Sequence, residues 1–269
     1  MRAVFASDID RDDPLRGLEV GERPDAAAPE GWTDDSWRGD ETLDPRRSIL
    51  SERHQGTFAE RVAVPRRNLV PKPPELSFEQ AACLPTARLT AYRMLFSRAR
   101  VVPGMTVLVQ GAGGGVATAL VVLGTAAGVR MWVTSRSERK RSEALELGAD
   151  QAFESDTRLP ERVDAVMETV GQATWSHSVR SLKPGGTIVV SGATTGDSPS
   201  AELRRMFFLQ LSVIGSTMGT RDELERLIRL CVEKDVHPAI DDVLSLGEAR
   251  QGFEAMLAGE VVGKIVFTP

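Results

Sequence analysis

The sequence is poor in cysteine: its 269 residues include only Cys83 and Cys231, and neither belongs to a CxxC pair. This spacing excludes a structural zinc lobe of four cysteines. Both cysteines have apolar neighbours, which predicts buried thiols rather than metal ligands or nucleophiles. The three histidines, His54, His177 and His237, are isolated, with no carboxylate at ligand spacing, so no metal site is expected.

The sequence also lacks a basic run with interleaved aromatic residues and a long uninterrupted apolar run. Its formal net charge is −5 and its pI is near 5.4, so nucleic acid is not expected as a partner. The longest apolar stretch, residues 107–129, is broken by glycines, which argues against a membrane span. The opening MRAVFASDIDRDD turns acidic without a hydrophobic signal region, so a cytoplasmic protein with no membrane partner is expected.

The composition is otherwise that of an ordinary globular protein, with 41% hydrophobic and 26% charged residues. The length predicts one large or two moderate domains, and we expect two. Residues 1–6 and 57–64 are predicted as strands of a mostly β region. The polar stretch 10–51 between them shows no sustained period of 2 or 3.6, which is unusual in a compact domain.

From Ser77 onward the pattern is helical, and it then alternates between strands and helices. Ser77 can cap a first helix, and a second is predicted at 89–97. Strands are predicted at 106–110, 131–135, 163–168, 187–191 and 207–215, helices at 117–127, 138–147, 174–182 and 222–234, and a turn at 184–186. This alternation predicts an α/β fold with a doubly wound parallel sheet. The final segment, with strands at 242–246 and 264–268 around a helix at 248–258, looks appended to that sheet.

The motif that carries chemistry is the glycine-rich turn in TVLVQGAGGGVATALVVLGTAAG. It joins an apolar β-branched strand to an apolar helix, which is the context of a dinucleotide-binding turn. Residues without a Cβ let the backbone approach a pyrophosphate, and the helix N-terminus presents N–H groups to it. Gly114 is expected to make the close approach, and Ala117 to pack the helix against the strand. The predicted contacts in the turn are Gly111, Ala112, Gly113, Gly114, Gly115 and Val116.

The end of the second strand favours NADPH over NADH. About twenty residues beyond the turn, an NAD enzyme presents a carboxylate to the ribose 2′-hydroxyl, but this sequence reads TSRS there. Ser135, Arg136 and Lys140 can instead receive a 2′-phosphate, so NADP(H) is the predicted cofactor. Arg139 and Arg141 are expected to lie on a solvated helix face.

Further motifs resemble the medium-chain dehydrogenase/reductase superfamily (zinc-type alcohol dehydrogenase-like), nearer its quinone oxidoreductase branch. They are GTFAERVAVP (56–65), LSFEQAACLPTARLTAY (76–92), VVPGMTVLVQGAGGGVA (101–117), ETVG (168–171), KPGGTIVVSG (183–192) and GKIVF (263–267). The resemblance covers almost everything from Gly56 onward. It implies a GroES-like catalytic domain built from residues 1–97 and a C-terminal return at 236–269, together with a Rossmann NADP-binding domain at 98–235.

The same resemblance implies cofactor contacts beyond the turn. They are Thr90 near the nicotinamide ring, Val170 and Gly171 near its ribose, Ser191, Gly192 and Gly215 along the cofactor cleft, and Lys264 near the cofactor's edge. Each of these residues could equally be an ordinary strand-end or turn residue.

Two departures from the family pattern affect this reading. Family members continue after a segment like 29–32 through several core strands of the substrate pocket, including, in zinc enzymes, a cysteine and a GHE motif. Here Thr33 runs straight into DDSW, so a deletion near Thr33/Asp34 and a truncated catalytic domain are inferred. Arg88 stands where an apolar residue or glycine is common, and its charge beside Thr90 is expected either to disturb the cleft or to reach solvent.

Together these observations predict a zinc-independent NADPH oxidoreductase that delivers hydride to a small-molecule quinone or activated enone or carbonyl. No catalytic residue is identified. Two alternatives stay open: an alcohol dehydrogenase that has lost its zinc-ligand segment, and an NADPH-binding protein without catalysis. A homodimer is expected because the last Rossmann strand, 207–215, presents a sheet edge that can pair across a two-fold axis.

Overall fold

The computed structural model describes residues 1–6, 10, 12–22, 40–45, 47–50 and 54–269. The chain divides into two compact units. The first unit consists of Met1–Glu79, Ile240–Val261 and Ile265–Pro269, and the second unit of Gln80–Ala239 and Val262–Lys264.

Most of the elements predicted from residue 106 onward are found within two residues of their expected bounds. In chain order the helices and strands of the described residues are β1 (Arg2–Ala6), β2 (Leu18–Glu22), α1 (Phe78–Ala82), α2 (Leu89–Tyr92), β3 (Thr106–Gln110), α3 (Gly115–Ala126), β4 (Arg130–Thr134), α4 (Glu138–Glu146), β5 (Gln151–Phe153), β6 (Val163–Glu168), α5 (Gln172–Ser181), β7 (Leu182–Val190), α6 (Leu203–Phe208), β8 (Ser212–Gly215), α7 (Arg221–Glu233), β9 (Ile240–Ser245), α8 (Ala249–Ala258) and β10 (Lys264–Thr268). Two π-helical turns, Leu84–Arg88 and Arg93–Arg98, flank α2.

The first unit contains two small sheets. β1 pairs antiparallel with β2, and β9 pairs with β10. β2 lies inside the stretch that the sequence left without a pattern, because its alternation in LEVGE lasts only five residues between polar segments. The deletion inferred near Thr33/Asp34 lies outside the described residues.

The strand predicted at 57–64 in the first unit is wrong. This segment touches β1 through a single isolated bridge, Ala3↔Ala59, with Val4 N–H donating to the Phe58 carbonyl at 2.8 Å. Its contribution is instead an aromatic contact. The Phe58 ring packs edge-on against Phe253 and Phe267, with centroids 5.9 and 5.3 Å away, so this segment is held by ring contacts rather than by extended strand pairing.

The second unit is built on a six-stranded sheet of order β5-β4-β3-β6-β7-β8. Every neighbouring pair is parallel, which confirms the predicted α/β fold. All five residues of β3 are buried, as its β-branched run TVLVQ predicts for a central strand covered on both faces. The core beside it includes Leu108, Trp132, Val166 and Ile188.

Two local predictions in this unit need correction. Residues 207–215 do not form one strand: the helix-forming run Leu203–Phe208 is α6, and β8 begins only after Gln210, whose φ of +53° breaks the helix. Residues 184–186 form no separate turn before a strand. They are a bulge inside β7, where the pairing jumps from Val163↔Leu182 to Ala165↔Thr187, so the glycines let one long strand absorb extra residues.

A helical layer covers one part of the sheet: α2 packs on α3 and on α7. Thr220 and Glu223 form a capping box at the start of α7. The Glu223 carboxylate also accepts hydrogen bonds from Arg93 Nη1 at 2.7 Å and from Ser97 Oγ. Among the described residues, no helix is long and apolar enough to cross a membrane.

Candidate functional site

The site lies at the carboxyl edge of the six-stranded sheet. Because all its strands run parallel, the loops that follow β3, β4, β6, β7 and β8 open at the same edge. The chain leaves β3 in one direction towards β4 and β5, and later resumes on the other side with β6, β7 and β8. This reversal beside β3 is the position at which open α/β sheets bind ligands. The predicted cofactor contacts all belong to the second unit.

The glycine turn has the geometry that a pyrophosphate requires. Gly111 follows β3 with φ +87°, a left-handed conformation that only glycine adopts without strain. Gly114 is the N-cap residue of the twelve-residue helix α3, whose N-terminus has no side-chain cap. A Cβ on Gly114 would meet no atom within 4 Å. The turn therefore offers open space in front of uncapped N–H groups, and it fits a bound diphosphate.

Two lysines lie against this turn. A Cβ on Gly113 would fall 2.6 Å from Lys140 Cδ, and one on Gly115 would fall 2.7 Å from Lys264 Cδ. A side chain at Gly113 or Gly115 would therefore displace a lysine stem from the turn. The structure brings both predicted lysines to the backbone of the glycine turn, where their ammonium charges add to the positive end of α3.

The end of β4 carries the residues predicted to read the 2′-phosphate. Ser135 is buried and its Oγ accepts a hydrogen bond from Ser137 N. Arg136 is exposed, and in the described part of the chain no acidic side chain is paired with it. Arg141, expected on a solvated face, instead donates from Nη1 to the Ser135 carbonyl at 2.7 Å. This bond fixes the backbone beside Arg136 and leaves the Arg136 guanidinium available to a phosphate.

Val170 and Gly171 form the loop between β6 and α5. Val170 Cγ2 lies 3.6 Å from the position of a Cβ on Gly111, so the loop borders the glycine turn directly. Gly171 has φ +93° and lies against Ala193 and the Gly196 carbonyl. Any side chain at Gly171 would collide with that backbone, which explains the glycine.

The remaining predicted contacts are less closely connected. Ser191 and Gly192 follow β7, and Ser191 N donates to the Glu168 carbonyl at 2.9 Å. Gly215 ends β8, and its carbonyl accepts from Arg98 Nε at 3.0 Å. Thr90 is buried within α2, which packs against α3, the helix that follows the glycine turn.

A buried polar network beneath the site was missed by sequence reasoning. Gln110 Nε2 donates to Ser178 Oγ and to His177 Nδ1, each at 2.9 Å, and Gln110 Oε1 accepts from Thr134 Oγ1 at 2.6 Å. Ser178 Oγ in turn donates to Glu168 Oε2 at 2.6 Å. The signal was a polar residue closing each apolar strand, in TVLVQ, RMWVT and VDAVME.

Arg88 does not reach solvent. Its side chain is buried in the helical layer at 2% exposure, and within the described chain its Nε and Nη2 have no hydrogen-bond partner. Burial lowers the pKa of the Arg88 guanidinium, and burial raises the pKa of both nearby thiols, Cys83 and Cys231. The two cysteines are therefore buried protonated thiols rather than nucleophiles.

The described residues do not fit a metal ion. No three side chains among His, Cys, Asp and Glu in that part of the chain are grouped as a metal site requires. The histidines have other partners: His177 bonds Gln110 and the Thr157 carbonyl, and His237 lies 3.0 Å from Asp235 Oδ1.

Comparisons with known proteins identify relatives of this chain. Residues 115–233 match the model of a family described as zinc-binding dehydrogenase. An acryloyl-coenzyme A reductase of Metallosphaera sedula is 31% identical over 247 residues, covering 90% of this chain and 74% of that protein. A zinc-type alcohol dehydrogenase-like protein of Schizosaccharomyces pombe is 31% identical over 242 residues, covering 81% of this chain and 68% of that protein.

Two solved structures extend the comparison. An NAD-dependent alcohol dehydrogenase is 34% identical, with a TM-score of 0.78 over 85% of this chain and 69% of the other. The 2-octenoyl-CoA carboxylase reductase CinF, solved with NADP and 2-octenoyl-CoA, is 26% identical, with a TM-score of 0.69 over 74% of this chain and 51% of the other.

Proposed function

The chain belongs to the medium-chain dehydrogenase/reductase superfamily of NAD(P)-dependent oxidoreductases, and on that premise we propose that it transfers hydride from NADPH to a conjugated acceptor without zinc. The acceptor is a quinone or an activated enone or carbonyl. The similarity to an acryloyl-coenzyme A reductase favours an activated carbonyl of one kind, an α,β-unsaturated thioester. The observation that carries the proposal is the cationic rim of the glycine turn: Arg136 exposed after β4 and Lys140 over Gly113.

The residues of this chain that would hold NADPH divide into three groups. The uncapped N-terminus of α3, with Gly114 and Val116, faces the diphosphate. Arg136 and Lys140 pair with the 2′-phosphate of NADPH. The neutral 2′-hydroxyl of NADH would form no such ion pair. Ser191, Gly192 and Gly215, at the ends of β7 and β8, would line the rest of the cleft.

NADPH, when bound, supplies the hydride and its two electrons from the nicotinamide ring. The contribution of the chain is to fix the dinucleotide and to exclude water from it. The buried strand ends, Gln110, Thr134 and Glu168, keep water out from beneath the cofactor loops. No side chain of the described residues is assigned as proton donor to the reduced product.

The decisive experiment is NADPH oxidation followed with purified protein and a panel of acceptors: a short enoyl-CoA thioester, an unconjugated acyl-CoA, a quinone and a simple aldehyde. We expect turnover with the conjugated acceptors and none with the saturated thioester, because hydride adds where conjugation stabilises the resulting anion. A protein that binds NADPH and oxidises it with no conjugated acceptor would contradict the proposal. The saturated acyl-CoA is the matched control for binding without reaction.

An alcohol dehydrogenase is the second candidate function. It is favoured by the similarity to the Schizosaccharomyces pombe zinc-type protein and to the NAD-dependent alcohol dehydrogenase structure. It predicts NADP⁺ reduction with a primary alcohol, and stoichiometric zinc in a full-length relative that retains the zinc-ligand segment, neither of which the leading proposal predicts. Tight NADPH binding with no turnover on any substrate would instead select a cofactor-binding protein without catalysis.

We further propose a homodimer formed through the β8 edge. β8 is the last strand of the sheet and its outer edge has no partner strand in the described chain. The neighbouring helix α6 exposes Leu203, Phe207 and Phe208 at 72%, 71% and 76%, an apolar surface that a second copy would cover. Light scattering at micromolar concentration should give twice the chain mass, and a monomer would contradict this part of the proposal.

The first unit is proposed to act as the catalytic, GroES-like part of the molecule, made from an N-terminal segment and a C-terminal return as the chain order of Met1–Glu79 and Ile240–Val261 suggests. Its place in catalysis is tested by the same acceptor panel. Activity of a chain lacking the return segment would contradict this assignment.

A further inference from the structure

Glu168 ends β6 as a fully buried carboxylate, with 0% exposure. No Lys or Arg of the described residues forms an ion pair with it. A buried carboxylate without a cation is costly unless hydrogen bonds replace its lost hydration. The donors around Glu168 therefore identify what this side chain holds in place.

Four donors surround the carboxylate, and two of them are backbone groups of one loop. Glu168 Oε1 accepts from Val170 N at 2.9 Å and from Gly171 N at 3.0 Å. Thr174 Oγ1 donates to the same oxygen at 2.9 Å, and Ser178 Oγ donates to Oε2 at 2.6 Å. Through these four hydrogen bonds the Glu168 side chain holds the loop of Val170 and Gly171 in place.

The other side of the loop is held as firmly. The Val170 carbonyl accepts from both N and Oγ1 of Thr195, each at 2.8 Å. The Gly171 carbonyl accepts from the backbone N–H groups of Thr174 and Trp175. The N–H and carbonyl groups of Val170 and Gly171 are thus all used inside the protein, and the loop offers a ligand the side chain of Val170.

That side chain lies beside the glycine turn, because Val170 Cγ2 is 3.6 Å from the Cβ position of Gly111, and it is half-buried. We propose that Glu168 is a positioning residue for the dinucleotide: its carboxylate holds Val170 as a fixed wall against which the cofactor packs beyond the glycine turn. This inference rests on the proposed function, since it concerns the same cofactor.

The Glu168 hydrogen bonds are connected to the opposite end of the site. Ser178 Oγ, which donates to Glu168, accepts from Gln110 Nε2 at 2.9 Å. Gln110 Oε1 accepts from Thr134 Oγ1, and Thr134 directly precedes Ser135 and Arg136. The loops that follow β6 and β4 are therefore connected through buried side chains. Removing the Glu168 hydrogen bonds is expected to increase the mobility of both loops.

A matched control stands on the same strand. Asp164 also belongs to β6, and its carboxylate likewise accepts a backbone hydrogen bond, from Thr106 N at 2.8 Å, with Lys183 as its second donor. Asp164 lies at the amino end of the strand, away from the glycine turn. Asp164→Asn therefore removes a similar strand-end contact without touching the cofactor loop.

The test compares NADPH affinity, by titration calorimetry, for wild type, Glu168→Ala, Glu168→Gln and Asp164→Asn, with amide hydrogen exchange read at Val170 and Gly171. We expect Glu168→Ala to weaken NADPH binding about tenfold and to speed exchange at both amides. Glu168→Gln keeps the volume and one acceptor oxygen, so partial rescue, a loss of about threefold, is expected. Asp164→Asn should bind within about twofold of wild type.

The affinities of these variants decide whether Glu168 positions the cofactor loop. If Glu168→Ala does not fold, Glu168→Gln and Thr174→Val, which removes one donor to Oε1, take its place. Affinity equal to that of Asp164→Asn in these variants overturns the positioning role and leaves the proposed function intact. Failure of the wild type to bind either NADPH or NADH overturns the proposed function and this inference together.

Discussion

The six-stranded sheet is stabilised by different interactions at the carboxyl ends of its strands, here the carboxyl edge, and at their amino ends, the amino edge. At the carboxyl edge, Gln110 and Glu168 are fully buried and form hydrogen bonds with neutral side chains. At the amino edge, Asp164 pairs with Lys183 at 2.8 Å, and Arg130 pairs with Glu161 at 2.8 Å with both side chains about half exposed. Screened surface pairs add little to folding and shape no site. The buried hydrogen bonds at the carboxyl edge thus position the loops of the site, whereas the ion pairs at the amino edge add modestly to the stability of the fold.

This comparison predicts the largest effect for a change in the glycine turn. Gly111→Ala forces an L-residue into φ +87°, which costs about 1–2 kcal/mol or displaces the turn. We expect NADPH affinity to fall about 100-fold. Gly104 is the matched control, because it has φ +88°, open space around its Cβ position and a place before β3 at the amino edge. Gly104→Ala should cost similar stability in urea unfolding and leave affinity unchanged; an equal loss of affinity in both variants would remove the distinction between the edges.

The next effect concerns the choice of cofactor. Arg136→Glu replaces a cation by an anion where the 2′-phosphate is proposed to bind, so NADPH should bind about 10- to 100-fold more weakly. Affinity for NADH should change by less than about threefold, since it has no phosphate there. Arg139→Glu makes the same charge change at a residue already paired with Glu143 and is expected to leave the preference intact. Parallel loss of both cofactors would refute the assignment of Arg136.

A smaller effect is expected at the amino edge. Asp164→Asn removes the ion pair with Lys183 and weakens the bond to Thr106 N, and it should cost about 1 kcal/mol of unfolding free energy near neutral pH. NADPH affinity should not change. Urea midpoints of the two proteins measure the first statement and calorimetry the second.

The same pair makes a pH prediction. Desolvation acts to raise the pKa of Asp164, but the bonds from Lys183 and Thr106 N outweigh it and lower the pKa below its ordinary value. A lowered carboxyl pKa gives stability that is present above the unfolded pKa of about 4 and is lost as pH falls through the folded value. The difference between wild type and Asp164→Asn should therefore shrink below about pH 4. A difference that is constant from neutral pH to acid would show that the charge plays no part.

The smallest expected change is a gain in the helical layer. Arg88→Met removes a buried guanidinium whose Nε and Nη2 have no partner within the described chain, and an apolar side chain of similar length should fill the space. Such replacements are often neutral or stabilising, so we expect a gain of about 1 kcal/mol. NADPH affinity should be unchanged. Marked destabilisation would mean that Arg88 makes a contact that the fold requires.

The Rossmann-type sheet was predictable because most of its strands are short, largely apolar runs that alternate with turns and helices. β3 and β6 match their predicted bounds for this reason. The N-terminal region gave weaker signals: β2 is short and partly polar, and Phe58 contributes by ring packing rather than by strand pairing. The hydrophobic periodicity of a sequence indicates elements that bury residues at regular intervals, and it does not indicate a single side-chain contact.

At the site, the glycines themselves indicated the turn. The side chains that contact those glycines could be identified only from the tertiary structure. Nothing in the local sequence indicates that the stem of Lys264 lies against Gly115, because the two are far apart in the chain. The bond from Arg141 to the Ser135 carbonyl and the hydrogen bonds of Glu168 also depend on tertiary position. A polar residue at the end of an apolar strand was the available signal, and it identifies Gln110 and Glu168.

We propose that Arg136 and Lys140, at the carboxyl edge of this sheet, select NADPH over NADH. Parallel calorimetric titrations of the wild-type protein with NADPH and NADH at one ionic strength measure this selectivity. We expect NADPH to bind at least about tenfold more tightly, with a difference that falls as salt rises. Equal affinity for the two cofactors, or binding of neither, would contradict it.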